Sequence, residues 1–215
     1  MTDSDRVTLY YNHHSRAVGT RVLLEELGAP YDVRFLDLEA DDQLKPDFLA
    51  VNPMGKVPTI VHRGAVVTEQ VAVTIYLADA FQGAGLAPAI GDPLRGPYLR
   101  WIAFEGSCFE PAIMDRYLKR EPAPRSMSPF ADPDTTIRTI LDRIAEGPYL
   151  LGERFSAADV LWGVSLDWIT RFGLLERTPA LGAYLDRVTN RPAFLRVAKT
   201  TAEIEAARAG HGRAG

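Results

Sequence analysis

The stretch that decides the fold reads Asn52-Pro53-Met54-Gly55-Lys56-Val57-Pro58-Thr59-Ile60, and Thr68-Glu69-Gln70 follows soon after it. The Val57-Pro58 pair leads straight into a β-branched strand, a short hairpin follows, and Glu69 then opens a helix. This order of elements builds a recess of unpaired backbone groups beside a helix N-terminus. Such a recess suits a short, extended, anionic peptide, because helix N-termini attract anions and an unpaired strand edge binds extended chains.

The elements on both sides of that stretch predict an α/β unit with the order βαβαββα over residues 1–82. We expect strands at 7–11 and 31–38, a hairpin at 59–67, and helices at 17–27, 44–51 and 70–81. Gly28 follows the first helix as its C′ residue. The helix at 70–81 is apolar around much of its circumference, which is typical of a helix that is covered on two sides.

The rest of the chain predicts helices and no further strand of comparable strength. Residues 83–93 are rich in Gly, Ala and Pro and read as a linker. Residues 94–205 then form an all-helical domain, and we expect Pro111 to end or kink its first helix. Residues 206–215 are small and polar, and we expect a disordered tail there.

One helix start in this second domain is marked by its sequence. Phe155-Ser156-Ala157-Ala158-Asp159 has the spacing of a capping box, in which Ser156 and Asp159 satisfy the first N–H groups of the helix. We therefore expect a helix to begin directly after Ser156.

Bulk composition excludes several function classes. The chain has 215 residues, 47% of them hydrophobic, which is enough for a sizeable core. A net charge of −4 argues against a nucleic-acid surface. No apolar run approaches the roughly 20 residues of a membrane span, so we expect no membrane partner. The polar start and the single Cys108 favour a reducing, cytoplasmic location and no disulfide framework.

Three groups of residues resemble the bacterial, cytosolic-type glutathione transferases, and together they extend across nearly the whole chain. They are Leu9-Tyr10-Tyr11 with Val22 to Gly28, Asn52 to Ile60 with Glu69, and Phe155 to Asp159 with Arg191-Pro192-Ala193-Phe194. The resemblance implies a thioredoxin-like first domain that binds glutathione as co-substrate. It also implies that the C-terminal helical bundle supplies most of the pocket for the second substrate.

The resemblance assigns glutathione contacts to residues around the deciding stretch. It implies a cis Val57-Pro58 bond, so that the Val57 backbone pairs with the cysteinyl residue of the ligand as an added strand would. Glu69 then pairs with the γ-glutamyl ammonium, and the Gln70 amide donates a hydrogen bond nearby. The candidates for the glycyl carboxylate are Lys45 and Lys56.

The first turn carries the candidate catalytic residues. Transfer needs the glutathione thiolate, and lowering the thiol pKa by two units needs about 2.7 kcal/mol of preferential stabilisation. Ser15 stands at the helix start and matches the serine of the serine-type transferases, although an ordinary N-cap would use the same residue. Arg16 could add to the positive field around the sulfur or could simply be exposed, and Asn12 is a further donor. Tyr11 remains a minor alternative.

The absence of cysteine from that turn argues against dithiol exchange of the glutaredoxin or thioredoxin kind. His13 and His14 are neighbours, but no spacing of histidines or cysteines fits a zinc site, so we expect no metal. Trp101 and Trp168 read as core residues.

The second-substrate pocket is expected between the first turn and the start of the helical domain. Its candidate residues are His13, Phe104, Ser107, Cys108 and Tyr117. Each of these positions could equally serve helix packing.

The resemblance implies an enzyme, a glutathione S-transferase that attacks a small hydrophobic electrophile. It also implies a homodimer and a role in detoxification. Two alternatives stay open. The same thiolate could reduce peroxides or remove halide, or the fold could be a binding or assembly module without turnover. Gln70 gives the second alternative some weight, because the family usually has Ser or a similar small residue there.

Overall fold

The computed structural model describes residues 5–121 and 123–211. Its N-terminal part is a four-stranded sheet with the strand order β2-β1-β3-β4. The strands are β1 (Val7–Tyr11), β2 (Tyr31–Phe35), β3 (Thr59–His62) and β4 (Ala65–Val67), and the helices between and after them are α1 (Ala17–Leu27), α2 (Pro46–Leu49) and α3 (Gln70–Ala80). This order confirms the predicted βαβαββα unit and the thioredoxin-like fold class.

Strand β1 lies inside the sheet because its alternate residues are apolar and buried. Val7, Leu9 and Tyr11 are each 0% exposed. The strand pairs in parallel with β2 and antiparallel with β3, which pairs antiparallel with β4. Strand β2 ends at Phe35 and not at the predicted residue 38, because a turn held by the Asp42 carboxylate on the Asp37 N–H follows it.

Helix α1 ends as its sequence predicts. Gly28 adopts the left-handed conformation with φ of 61°, and its N–H returns to the carbonyl groups of the last turn. Residues with a β-carbon are strained in this conformation, and glycine is not.

The C-terminal part is helical, as predicted. Its helices are α4 (Arg95–Phe104), α5 (Glu110–Tyr117), α6 (Pro133–Ala145), α7 (Ala157–Arg171), α8 (Pro179–Thr189) and α9 (Pro192–His211). Residues 206–211, which belong to the tail that we expected to be disordered, continue α9. Alanine-rich sequence supports a helix through its high propensity. The rest of the expected tail, residues 212–215, lies outside the described residues.

Pro111 was expected to end or kink the first helix of this part, and the structure shows that it does not end it. A five-residue π-helical turn, Glu105–Phe109, joins α4 to α5, and the chain stays helical through Pro111. In this turn the Glu110 N–H donates to the Glu105 carbonyl group. Proline lacks an N–H, and the widened turn accommodates the missing donor without breaking the helix.

Helix α1 also contacts the helical region. The Arg191 guanidinium donates to both carboxylate oxygens of Glu26, each at 2.7 Å. The same guanidinium lies 3.7 Å from the ring centroid of Phe155. A bidentate pair that also stacks on a ring fixes position as well as charge. It therefore holds α1 at a defined angle to the helices.

The predicted capping box is present at the start of α7. The Asp159 carboxylate is 0% exposed and accepts hydrogen bonds from the backbone N–H groups of Leu150 at 2.8 Å and of Ser156 at 2.9 Å. Tyr184 adds its hydroxyl at 3.2 Å. One buried carboxylate therefore joins the loop before α7, the helix itself and α8.

Among the described residues, none of the helices combines the length and the apolar character that are needed to cross a membrane.

Replacing Asp159 should cost far more stability than replacing an exposed cap. Asp159→Ala leaves two buried backbone N–H groups without an acceptor, at about 1 to 3 kcal/mol each. We expect the free energy of unfolding, measured by urea denaturation, to fall by about 2 to 6 kcal/mol.

The matched control is Asp132→Ala, which removes the side chain that caps α6 through the Thr135 N–H at 2.7 Å. Asp132 is only partly buried, so water can replace its side chain and the loss should be smaller. Equal losses for the two variants would contradict the joining role of Asp159.

Candidate active site

A cleft of about 510 Å³ lies between the sheet domain and the helices α4 and α5. The side chains and backbone that line it are those of Arg16, Asn52, Lys56, Val57, Pro58, Glu69, Gln70, Val71, Ala103, Glu105, Gly106, Ser107 and Glu110. The deciding stretch of the sequence therefore forms one wall. The helical region, including its π-helical turn, forms the other.

Asn52 shapes the loop that enters β3. It is 2% exposed, and its amide donates to the Lys56 carbonyl group at 2.9 Å and to the Thr59 hydroxyl at 3.0 Å. Its side-chain oxygen accepts from the Met54 N–H at 3.0 Å. A single buried amide thus fixes the loop from both ends, and this fixes the direction in which Val57 faces.

The Val57-Pro58 bond is cis, as the resemblance implied. Strand pairing with β1 starts only at Thr59. In the described part of the chain, neither the N–H nor the carbonyl group of Val57 has a hydrogen-bond partner. Val57 lines the cleft, so an extended peptide could pair with these two groups as a strand pairs with a sheet edge.

Glu69 has an unusual backbone conformation. Its φ is 64° and its ψ is 117°, a combination that costs a residue with a β-carbon about 1 to 3 kcal/mol. The side chain is exposed and borders the cleft. Its carbonyl group accepts from the Val73 N–H at 2.9 Å, which starts α3. This conformation places the Glu69 carboxylate beside the first N–H groups of α3, where two opposite charges of a ligand could bind together.

The turn after β1 is held by its own side chains. The Asn12 amide donates to the Leu36 carbonyl group at 2.8 Å, and its oxygen accepts from the His14 N–H at 2.7 Å. The Ser15 hydroxyl donates to the Asn12 carbonyl group at 2.7 Å and accepts from the Ala17 N–H at 3.2 Å. Asn12 therefore positions the turn, and its amide does not point into the cleft as a donor.

The start of α1 offers backbone donors as well as a hydroxyl. In the described residues, the N–H groups of Ser15 and Arg16 have no partner. The Arg16 guanidinium forms an ion pair with Glu110 across the cleft. An anion at this point would meet N–H groups, the positive end of the helix dipole and one guanidinium.

A second, small pocket of about 50 Å³ adjoins the start of α1. Its lining consists of Ser15, Arg16, Gln70, Glu105, Phe109, Glu110, Ile113, Met114, Val164, Ser165, Trp168 and Ile169. Its lining is mostly apolar, and more so than that of the 510 Å³ cleft. The two spaces share Arg16, Gln70, Glu105 and Glu110, so they meet beside these four side chains.

Glu105 is the buried charge of this region. Its side chain is 1% exposed, and its Oε1 atom has no hydrogen-bond partner among the described residues. Burial raises the pKa of Glu105 to about 7, and the nearby Glu110 carboxylate adds to this. A hydrogen bond from Ser165 and the charge of Arg16 act in the opposite direction. The carboxyl group is therefore partly protonated at neutral pH.

The structure brings most of the predicted glutathione contacts into one cleft. Lys56, Val57, Pro58, Glu69 and Gln70 all line it. Lys45 does not line it and instead pairs with Asp42 at 2.5 Å on the surface. Lys56 is therefore the lysine of the two candidates that faces the cleft.

The predicted second-substrate residues are dispersed. Ser107 alone of the five lines the cleft. His13 is buried against Phe35, with ring centroids 5.7 Å apart, and borders a different space between α1, α7 and α9. Phe104 packs between Trp101 and Trp162 in the core.

Cys108 and Tyr117 also lie away from the cleft. The Cys108 sulfur is 3.5 Å from the Ser107 hydroxyl, and Tyr117 is 60% exposed at the end of α5. The π-helical turn changes the direction of every side chain after Phe104, so faces inferred for a regular helix do not hold there.

Sequence reasoning missed Glu105, Glu110 and Ser165, and it placed Trp168 in the core. A signal for Glu105 exists: it lies four residues after Trp101 and four before Phe109, which are both buried apolar residues. A carboxylate on an apolar stripe indicates a buried charge. Tyr11, the alternative catalytic residue, is 0% exposed in the core, and its hydroxyl borders neither pocket.

In the part of the chain that the structure describes, no three His, Cys, Asp or Glu side chains are grouped so as to hold a metal ion.

Comparisons with known proteins agree with this geometry. The family "Glutathione S-transferase, N-terminal domain" matches residues 6–79. A sphingomonad glutathione S-transferase solved in complex with glutathione is 30% identical, with a TM-score of 0.73 over 90% of this chain and 98% of that one. A glutathione transferase homolog from Sulfitobacter with bound glutathione is 26% identical, with a TM-score of 0.74 over 92% of this chain and 99% of that one.

A curated sequence relative is similar over the same length. Glutathione S-transferase GST-4.5 of Xanthomonas campestris pv. campestris is 28% identical over 189 residues, which cover 84% of this chain and 91% of that protein. The likeness therefore includes the helical region as well as the sheet domain. On this evidence the chain belongs to the glutathione S-transferase family of enzymes.

Proposed function

We propose that the chain binds glutathione in the 510 Å³ cleft, ionises its thiol at the start of α1 and transfers the sulfur to a small hydrophobic electrophile. The observation that carries this proposal is the composition of one wall. Unpartnered backbone groups of Val57, the strained Glu69 and the start of α1 face the same space. The sphingomonad and Sulfitobacter relatives were both solved with glutathione, which supports the same ligand here.

Each charged group of glutathione has a partner in this wall. The cysteinyl backbone pairs with the Val57 N–H and carbonyl group. The γ-glutamyl ammonium pairs with the Glu69 carboxylate, and the γ-glutamyl carboxylate accepts from the first N–H groups of α3. Lys56 is exposed at the rim, where it pairs with the glycyl carboxylate. This arrangement leaves the cysteinyl sulfur directed toward Ser15 and Arg16.

The start of α1 stabilises the thiolate. A sulfur anion there accepts from the unpartnered N–H groups of Ser15 and Arg16, and the Ser15 hydroxyl can rotate from the Asn12 carbonyl group to donate as well. Hydrogen bonds to a charged group contribute about 1.5 to 3 kcal/mol each. Two such bonds therefore reach the order of magnitude that lowers a thiol pKa by two units, about 2.7 kcal/mol.

The electrophile occupies the junction of the cleft and the small pocket. The pocket walls are mostly apolar, which favours a hydrophobic group. A volume of about 50 Å³ is well below the roughly 150 Å³ of an apolar cavity that holds benzene. A small aliphatic group therefore fits the pocket as it stands, and a large aromatic one must displace Trp168 or Met114.

A homodimer in the cytoplasm that detoxifies electrophiles is the physiological setting that family membership supports. The surface of α3 is compatible with a partner, because Val71 and Ile75 stay partly exposed. Light scattering should give a mass close to twice the 23.7 kDa of the chain. A mass near 23.7 kDa itself would contradict the dimer.

Removing the Ser15 hydroxyl should raise the pKa of the bound thiol. Ser15→Ala removes one hydrogen bond to the thiolate, and we expect the thiol pKa in the complex to rise by about one unit. The conjugation rate at neutral pH should fall about tenfold. The absorbance of the thiolate, followed against pH in the glutathione complex, measures the first effect, and initial rates measure the second.

The control is Thr139→Ala, which removes a hydroxyl of α6 that donates to the Thr135 carbonyl group at 2.8 Å, far from the cleft. This variant should change neither the thiol pKa in the glutathione complex nor the conjugation rate. An unchanged pH–rate profile in Ser15→Ala would remove Ser15 from the mechanism. If the wild-type protein binds immobilised glutathione but conjugates no electrophile, the chain is a binding module.

Neutralising Glu69 should weaken glutathione binding with little effect on the fold. Glu69→Gln keeps the length and backbone of the side chain but loses its charge. Loss of the ammonium partner should raise the glutathione Kd more than about tenfold, a loss of about 1.4 kcal/mol. Isothermal titration calorimetry measures the change.

Asp47→Asn serves as the control, since it removes an exposed carboxylate of α2 that does not line the cleft. Its affinity should match that of the wild type. Equal affinity of Glu69→Gln and the wild type would reject the role of Glu69.

A further inference from the structure

We propose that Glu105 is a catalytic acid: its carboxyl group gives a proton to the carbonyl oxygen of an α,β-unsaturated carbonyl compound while the glutathione sulfur adds to the β-carbon. This inference rests on the function proposed above and names a class of electrophile for the same site.

The position of Glu105 is the first observation. It borders both the 510 Å³ cleft and the 50 Å³ pocket, and it lies on the boundary together with Arg16, Gln70 and Glu110. Ser15 lines the small pocket as well. A sulfur at the start of α1 and an electrophile at the junction therefore both lie beside the Glu105 side chain.

The second observation is the lack of a hydrogen-bond partner for the Oε1 atom of Glu105. The Glu105 side chain is 1% exposed, and Oε1 has no partner among the described residues. Burying a polar atom without a hydrogen bond is costly, and such atoms in folded proteins are rare. A substrate oxygen that accepts a hydrogen bond would satisfy it. In free enzymes, catalytic hydrogen bonds often form fully only when the substrate is present.

The third observation is the local backbone. Glu105 opens the π-helical turn that joins α4 to α5, and its carbonyl group accepts from the Glu110 N–H. π-Helical turns are frequent at functional sites. Across the turn, Gly106 approaches Val71 of α3 so closely that a β-carbon there would lie 2.6 Å from a Val71 methyl carbon. The turn is thus held firmly against the sheet domain, where the glutathione contacts lie.

Burial, and to a smaller extent the nearby charges, determine whether this carboxyl group holds its proton. Glu110 faces it from α5 and disfavours its ionisation, whereas Arg16 faces it from the start of α1 and favours ionisation. From α7 the neighbour is the uncharged Ser165, and from α3 it is the uncharged Gln70. The pKa of Glu105 is raised to about 7, so the proton is present below that pH and lost above it.

The reaction step balances without any further reagent. The thiol proton of glutathione leaves to solvent, and the sulfur forms a bond to the β-carbon. The electron pair of the C=C bond moves toward the carbonyl oxygen, which takes the proton from Glu105. The enol that results becomes the carbonyl adduct by exchange with water, and the Glu105 carboxylate regains a proton from solvent. Nothing is oxidised or reduced.

Two small electrophiles of similar size distinguish proton donation by Glu105 from any other role of this residue. But-3-en-2-one needs a proton at its oxygen when sulfur adds, whereas allyl bromide releases bromide and needs none. Glu105→Gln should lower kcat/KM for but-3-en-2-one about a hundredfold more than kcat/KM for allyl bromide. Glu105→Asp, which keeps an acid at a shorter reach, should restore part of the lost rate.

The pH dependence of the wild type gives a second test that does not depend on a variant folding. The ionisation of the glutathione thiol affects the rates of both substrates equally. Its contribution to the pH dependence therefore cancels in the ratio of the two rates. That ratio, but-3-en-2-one over allyl bromide, should fall between about pH 6 and about pH 8 as Glu105 loses its proton. In Glu105→Gln the ratio should be low and independent of pH.

Several results would overturn the proposal. A ratio that does not change with pH in the wild type would do so, as would equal slowing of both substrates in Glu105→Gln, which indicates a structural role. Reaction of the wild type with allyl bromide but not with but-3-en-2-one would reject this electrophile class alone. If the wild type binds no glutathione and reacts with neither compound, the function proposed above fails together with it.

Discussion

Helix α1 contacts both halves of the protein, and this double contact sets the position of the site. One face of this helix packs on the sheet domain, and the other packs on the helical region. On the side of the helical region, Gly19 lies next to the Val164 side chain of α7. At the far end of α1, the nearly buried Glu26 carboxylate receives both hydrogen bonds of Arg191. The start of α1, where Ser15 lies, is thereby set against the cleft walls.

This constraint explains why distant parts of the sequence form one site. The loop held by Asn52, the strained Glu69 and the π-helical turn at Glu105 come from three separate regions, and each is fixed by buried contacts. Rigid elements position a ligand better than mobile loops do. Backbone strain at Glu69 persists because the neighbouring strand and helix over-determine it, which is typical of functional positions.

Most of the fold could be predicted from local patterns. Gly28, the hairpin before Glu69 and the Ser156–Asp159 box each mark an element boundary by their own chemistry, and the structure agrees at each. The prediction for Pro111 failed because a local change of helix type overrides the residue's usual preference. Pro111 normally stops a helix, but the π-helical turn before it absorbs the missing donor.

The site was predictable to a different extent on its two sides. The glutathione wall follows from consecutive residues around Val57-Pro58, so sequence order reveals it. The electrophile side is formed by α4, α5 and α7. Within it, the π-helical turn changes the direction of side chains such as Ser107 and Cys108. Glu105 was missed because carboxylates normally lie at the surface. Its position four residues after Trp101, on a stripe of apolar residues, nevertheless indicates that it is buried.

The central claim is that the cleft binds glutathione with its sulfur at the start of α1. A crystal structure of the complex tests it most directly. We expect the cysteinyl backbone to pair with the Val57 N–H and carbonyl group, and the sulfur to lie within hydrogen-bond distance of the Ser15 hydroxyl or the N–H groups of Ser15 and Arg16. A sulfur bound elsewhere, or a cleft that stays empty at saturating glutathione, would contradict the account.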